Sequence, residues 1–346
     1  MAQTKAPLDL STESLVTAVL QTIDRERERE IVARRFGLFE RKETLEQIGE
    51  MLGITRERVR QLEKSVVTKL RSGAEQGTIP NLAEFQDRVV GILNKHGEVA
   101  RISLVTSELN DDPNREEQSR VSFLCQLCPD LTVIQEDDNF YYSVAIMSKY
   151  DEKTFKSKVE DLVDATKKLG EPRDISDLAK AANITDGKAA AALASTSKKL
   201  ATLNNRWGLV KWPMVNPKNI KDKIYVILKE NGKHMHFNEI AEAIKDSDFK
   251  RKDVTTQAIH NELIKDKRFV LIGRGIYALK EWGYEKGTVA DIITEVLKEA
   301  NEPLHRDEIV KRVLKSRFVK ETTILLNLQG KPQFKRVAKA TYALAE

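Results

Sequence analysis

Cysteine is nearly absent from this 346-residue chain, with Cys125 and Cys128 the only two. A lone C-x-x-C, with no second pair and no neighbouring histidine, lacks the four ligands of a structural zinc site. Two readings of the pair stand: a redox couple, or two half-buried thiols on one helix in a reducing compartment. Histidine is also scarce. His96, His234, His236, His260 and His305 fall into no H-E-x-x-H spacing, and although His234 and His236 would share one side of a strand, no third ligand accompanies them. The chain contains neither a G-x-x-x-x-G-K-[ST] phosphate loop nor a G-x-S-x-G elbow, so nucleotide hydrolysis and serine-hydrolase chemistry lose their usual cradles. No metal, cofactor or catalytic residue is expected. No apolar run approaches the ~20 residues that cross a bilayer. "MAQTKAPLDLSTESL" lacks the basic, apolar and small-residue order of a secretory leader. The expectation is a cytoplasmic protein without a membrane partner. A net charge of +5 is too small to name a partner, so the distribution of charge matters more.

What is present is apolar and charged sequence, 40% and 32%, the balance of a helix-rich globular protein, and a length that suits several domains. Leu15, Val16, Val19, Leu20 and Ile23 recur at helical spacing, and "DRERERE" at 24–30 reads as a solvated face. Next, Thr44 precedes Gln47 by the three residues of a capping box, with Leu45, Ile48 and Leu52 as the apolar stripe behind it. Gly49 marks a place where close approach of a second helix would exclude a Cβ. Gly53 supplies the tight turn and Thr55 a second cap.

The stretch "ITRERVRQLEKSVVTKLRS" at 54–72 holds six Lys or Arg against two Glu. Val59, Leu62, Val66 and Leu70 fall within about 80° of one another at roughly 100° per residue and would pack inward. Arg56, Glu57, Arg60, Gln61 and Lys64 gather opposite them. A helix, a glycine turn and a second helix with polar groups in its first two turns form the geometry in which a helix end enters a major groove. Arg can bond guanine bidentately, Gln can read adenine, and Glu can accept from the cytosine amino group, while further Arg and Lys hold phosphates. A basic amphipathic helix within an ordinary bundle is the alternative.

"RRFGL" followed by "TLEQIGEMLGITRERVRQLEKSVVTKLRS" resembles the fourth conserved region of bacterial primary-type sigma factors. The resemblance covers about residues 14–72. It implies a helix-turn-helix that reads the −35 promoter element and docks on the β-subunit flap of RNA polymerase. Arg56, Glu57 and Gln61 become the base-reading candidates, and Thr44, Arg58, Arg60 and Lys64 the phosphate candidates. The family's second region, which melts the −10 element with exposed aromatics, has no counterpart in the sequence, so promoter opening is not implied.

The rest of the chain repeats. "YYSV", "RWGLV", "GIYAL" and "ATYAL" place Tyr142, Trp207, Tyr277 and Tyr342 before an aliphatic residue, and each segment opens with a helix, a polar break and a second apolar helix. Helices followed by a hairpin suggest winged helices in tandem. Tyr141, Tyr142, Trp207, Tyr277 and Tyr342 are expected in cores rather than as base-stacking platforms. "ILKENGKHMHFNEIAEAI" with "AIHNELIKD", "RFV" and "GRGIYAL" resembles the HARE-HTH winged-helix domain, a family that includes the N-terminal domain of the RNA polymerase delta subunit. Such modules accompany nucleases, and "PDLTVIQEDD" offers Pro129, Asp130 and Glu136 toward a nuclease carboxylate set, but no lysine stands two places after Glu136.

The fold class expected is mainly α with short β-hairpins: a helix-turn-helix at 1–76, then winged-helix modules at 82–147, 152–213, 217–283 and 286–346. Residues 108–138 carry nine Asp or Glu against two Arg, a surface suited to a protein contact or to solubility. Residues 311–339 carry nine Lys or Arg against one Glu, and there Lys331, Lys335, Arg336 and Lys339 flank a wing suited to gripping a phosphate backbone. Arg268 and Arg274 mark the base and tip of the preceding hairpin. Arg274 would reach a minor groove or close the turn. The partners expected are double-stranded DNA and RNA polymerase. The leading function is a sigma-like transcription protein, with a polymerase adaptor or anti-initiation factor and the recognition subunit of a restriction-modification system as alternatives.

Overall fold

A computed structural model describes residues 11–345 except Asp112, Lys252 and Glu285. The N-terminal ten residues, on which the leader expectation partly rests, and Asp112 of the acidic stretch lie outside the described residues. The chain forms two compact units, one ending at Val210 and one starting at Lys211.

The first unit opens with α1 (Thr12–Gln21), α2 (Glu26–Phe36), α3 (Leu45–Leu52) and α4 (Arg56–Glu75). Glu26 and Glu28 sit in the first turn of α2 and Arg34 and Arg35 in its last, each charge matched to the helix dipole. The arginines at 25–30 are not merely solvated: Arg27 donates to the Leu52 carbonyl and Arg29 to that of Ile23, both at 2.6 Å.

Two repeats of one pattern follow. The first comprises α5 (Leu82–Lys95), β1 (Val99–Arg101), α6 (Ile102–Leu109), α7 (Arg115–Leu127), β2 (Leu131–Ile134) and β3 (Ser143–Ile146). The second comprises α8 (Glu152–Leu169), β4 (Arg173–Asp174), α9 (Ile175–Ala181), α10 (Gly187–Thr196), β5 (Leu200–Leu203) and β6 (Arg206–Leu209). The second unit holds two more: α11 (Ile220–Asn231), β7 (Met235–His236), α12 (Phe237–Asp246), α13 (Thr256–Lys265), β8 (Phe269–Gly273) and β9 (Ile276–Leu279), then α14 (Val289–Ala300), β10 (Leu304–His305), α15 (Arg306–Ser316), α16 (Glu321–Gly330), β11 (Phe334–Ala338) and β12 (Thr341–Leu344). Each repeat makes a three-stranded antiparallel sheet with its last strand in the middle.

The register corrects one expectation. Trp207, Tyr277 and Tyr342 lie opposite Arg173, Met235 and Leu304, but the residue opposite Ala100 is Val144. Tyr142 therefore stands two places away from the equivalent aromatic position. Tyr277 and Tyr342 are core residues, as expected; Tyr142 and Trp207 pack partly buried against their cores. Tyr141 instead lies under the cations of Arg101 and Lys198.

In the first unit, neither large core keeps to one repeat. Leu15, Val32, Val66 and Leu70 of the first four helices and Leu38 of the connection after α2 join Val89, Val121, Phe123, Leu124 and Val144 of the repeat that follows. Val99, Phe140 and Ala145 join Phe155, Leu162, Leu193 and Leu200 of the next. The hairpin loop between β2 and β3 is bound over to the second repeat: Tyr141 donates to Thr196 and Lys198 to Asn139 through backbone bonds of 2.8 Å. At Gly97 (φ +88°), a Cβ would lie 2.7 Å from the Lys188 carbonyl, so only glycine allows that approach.

Cys125 and Cys128 are fully rather than half buried, on α7 and at its C-cap. Burial pushes the Cys125 thiol up strongly and that of Cys128 to about 12. Thiolate is the reactive form. Iodoacetamide at pH 8 is therefore expected to label the native chain about a thousandfold more slowly than the denatured chain. Comparable rates in a mass-spectrometric time course would show that α7 is not sealed.

Within the second unit, the segment before α16 pairs with the edge of β8. Phe318 donates its backbone N–H to the Ile272 carbonyl at 3.1 Å, the Arg317 guanidinium bonds the Leu271 carbonyl, and the His234 ring lies 4.3 Å from that of Phe318.

Candidate nucleic-acid interface

Ile31, Ile48 and Val59 form a small core of their own, ringed by Leu45, Leu52, Ile54 and Leu62, which fixes α3 across α2 and α4. At the start of α3, the Thr44 hydroxyl accepts from the Gln47 N–H at 3.2 Å and the Gln47 side chain accepts from the Thr44 N–H at 2.9 Å. The capping box foreseen in the sequence is thus complete. Gly49 has no space for a Cβ, but what excludes it is the Ile54 carbonyl of the turn at 2.7 Å rather than the body of a second helix. Gly53 adopts φ +65° and Thr55 caps α4 by accepting from the Arg58 N–H.

On α4, Val59, Val66 and Leu70 are buried and Leu62 is half buried, as the periodicity requires; Val67 joins them. Arg56, Glu57, Arg58, Arg60, Gln61 and Lys64 are all exposed. They are not unengaged. Arg56, 73% exposed, donates to Glu46 of α3 at 3.0 Å. Arg60 grips Glu57 with two bonds of 2.9 and 2.6 Å. Gln61 donates to Glu57 at 3.3 Å and accepts from Arg58 at 3.4 Å. The bond from Arg60 holds the Glu57 carboxyl down to about 2, and that from Arg56 lowers Glu46. Both carboxylates thus stay ionised through the physiological range. These pairs lie in water, where ion pairs are weak and readily exchanged. Phosphates and base edges can take over the same guanidinium and amide groups. Glu46 escaped the sequence reading because its partner lies on the next helix, outside any single-helix periodicity. Arg71, counted among the basic residues of this stretch, is spent elsewhere, donating to the Gln126 carbonyl at 2.8 Å.

The other candidates separate in the same way. Lys331, Lys335, Arg336 and Lys339 are exposed on and beside the β11–β12 hairpin, with Arg336 donating to the Ala338 carbonyl at 3.1 Å. Arg274 is exposed at the β8–β9 turn. Both its glycine neighbours are dictated by packing: a Cβ at Gly273 would meet the Phe318 carbonyl at 2.8 Å, and one at Gly275 would meet the His236 ring at 2.5 Å. Arg268 is locked instead, bonded to Asp266 and Asp222 and stacked over Tyr225. His236 and His305 occupy equivalent positions and cap α12 and α15 through Nδ1. Among the described residues, no cluster of His, Cys, Asp and Glu could hold a metal.

The acidic stretch is mostly committed to contacts inside the first unit. Glu108 pairs with His96, Glu117 with Arg120, Asp130 with Gln86 and Glu136 with Lys198, while Asp137 caps the Asn139 and Phe140 amides. These acids nevertheless stay at the surface: Glu108, Asp111, Glu116, Asp130, Glu136, Asp137 and Asp138 are exposed, and Glu117 is half buried.

This helix–turn–helix has known counterparts. Residues 25–72 match the Sigma-70, region 4 family. The region 4 stretch is similar to the RNA polymerase sigma factor RpoD of Helicobacter pylori, 49% identical over 59 residues that cover 16% of this chain and 9% of that protein. It is likewise 49% identical over 47 residues to the sigma factor sigB of Arabidopsis thaliana, 13% of this chain and 8% of that protein. To the sigma factor SigA of a Bacillus species it is 40% identical over 67 residues, 19% of this chain and 18% of that protein. The chain therefore spans less than a fifth of the length of these relatives, and the region 4 match accounts for α2 to α4 alone.

Proposed function

We propose that this protein is a DNA-binding transcription factor of sigma-like character, which reads a short duplex with α4 and acts with RNA polymerase to regulate or assist initiation. The observation that carries the reading is the outward display of Arg56, Glu57, Arg60 and Gln61 over a sealed apolar face, inside a segment matching sigma region 4. In this reading Arg56, Glu57 and Gln61 face base edges, and Thr44, Arg58, Arg60 and Lys64 face phosphates. Polymerase is contacted through its β-subunit flap, and the chain works in the cytoplasm, on the nucleoid, without catalysis of its own. The four repeats serve as winged-helix modules, the third of the HARE-HTH kind, with boundaries at 82–147, 152–213, 217–283 and 286–346.

Footprinting of a duplex selected from a random pool, with and without core polymerase, tests the proposal. A discrete footprint strengthened by polymerase is expected. No selected sequence and no footprint would refute it. The basic hairpin adds a separate expectation. Replacing Lys335 and Arg336 by alanine should weaken all duplexes alike and reduce the salt slope by about 2, one unit per lost phosphate contact. An unchanged slope in a salt titration would remove this hairpin from the interface.

A further inference from the structure

A helix outside the region 4 match packs against α4. In each repeat, the third helix is the one that precedes the hairpin, and α7 holds that place in the first repeat. It is not displayed to solvent. Val121, Phe123, Leu124 and Cys125 are fully buried in the core shared with α1, α2 and α4. Among them sits one cation, Arg120, 6% exposed. Its Nε donates to the Leu38 carbonyl at 2.7 Å, its guanidinium bonds Glu117 and lies 3.4 Å from Glu13 of α1, and Glu117 in turn accepts from Thr12 and from Asn110.

Leu38 belongs to the connection between α2 and α3. That connection leaves α2 through Gly37 in the left-handed region, where a Cβ would meet the Lys42 N–H nitrogen at 2.8 Å. It returns at Glu43, whose N–H donates to the Arg34 carbonyl and whose carbonyl accepts from Arg35. Glu43 precedes the Thr44 cap of α3, and Arg35 also reaches Glu63 of α4 at 3.3 Å. Arg120 thus holds the Leu38 end of this connection, which α2 also holds through the bond from the Leu38 N–H to the Ala33 carbonyl, while its Glu43 end is bonded to α2 and leads into α3, and Arg35 of α2 reaches α4. A buried guanidinium is costly unless its donors are satisfied in one fixed geometry, so it specifies a single seating of α7 against the connection.

We infer that Arg120 is a positioning residue for duplex reading: α7 is spent on fixing the helix-turn-helix rather than on contacting a ligand, and Arg120 sets how α4 is presented. The inference rests on the DNA-reading proposal above. Arg120 touches no solvent-facing groove, so its effect is on sequence preference and not on phosphate attraction.

The test is competition binding by the full chain between a duplex selected from a random pool by the parent and a random duplex, at several salt concentrations. Arg120→Met keeps the volume and removes the bonds. It is expected to lower the preference for the selected duplex about tenfold, with random-duplex affinity and salt slope unchanged, and Arg120→Lys should restore part of the preference. Full preference in folded Arg120→Met overturns the inference. If that variant does not fold cooperatively, Glu117→Gln decides: a few-fold loss of preference supports the lock, and none overturns it. A parent that selects no duplex brings down the DNA reading and this inference together, whereas a selective parent matched by its Arg120→Met variant brings down this inference alone.

Discussion

Phe123→Ala is expected to destabilise the first unit by about 3–5 kcal/mol, the usual cost of truncating a fully buried phenylalanine. The ring is fully buried and lies 4.9 Å from that of Phe36 at an interplanar angle of 52°, a tilted pair across the boundary between the region 4 stretch and the first repeat. Removing it opens a cavity that rigid neighbours on α1, α2 and α7 cannot fill without moving. Because Phe36 belongs to the region 4 stretch and Phe123 does not, the change tests whether the two share one cooperative core. Urea denaturation followed by hydrogen exchange is the measurement. Amides of α2 and of α7 should lose protection together in the variant. A loss below about 1 kcal/mol, or protection lost in α7 alone, would show two independent cores. Leu326→Ala on α16 is the contrasting case: that side chain is 68% exposed and its truncation should change little.

The parts of this fold that were legible in the sequence are those fixed by short-range rules. Thr44 with Gln47, Gly53, Thr55 and the Val59–Val66–Leu70 stripe each depend on neighbours within about two turns, and each stands where spacing placed it. The order of helices and hairpin was visible for the same reason, since turns and periodicity repeat four times, whereas the short strand after each first helix stood in the sequence only as a polar break. Contacts between distant segments were not legible. Nothing near Arg120 in sequence announces Leu38, and nothing near Glu46 announces Arg56 on the next helix. Counting acids in 108–138 could not show their partners, because His96, Arg120 and Lys198 are brought to Glu108, Glu117 and Glu136 by packing. The aromatic repeat misled at Tyr142 because an aromatic two residues out of register satisfies the same linear pattern as one in register. Strand pairing, not residue type, settles which side chain is equivalent.

Arg56→Ala and Gln61→Ala are each expected to reduce discrimination between the selected and a random duplex by about 1–3 kcal/mol, the worth of a bidentate base contact. The two act from different parts of the network. Arg56 is tied to Glu46 on α3, and Gln61 to Arg58 and Glu57 on α4. They share no bonded partner, so the double variant should lose close to the sum of the two. Neither change should lower stability appreciably, because both side chains are exposed and each leaves its partners in water. That separates them from Arg120, whose removal is expected to act on the seating of α4, and from Lys335 and Arg336, whose removal is expected to act on every duplex. Competition titrations at constant salt, with thermal unfolding of each variant alongside, provide the measurement. Equal losses on selected and random duplexes would assign Arg56 and Gln61 to phosphate contact, and the proposed base-reading role of α4 would then fall to Glu57, whose carboxylate, now holding Arg60, can accept from a cytosine amino group.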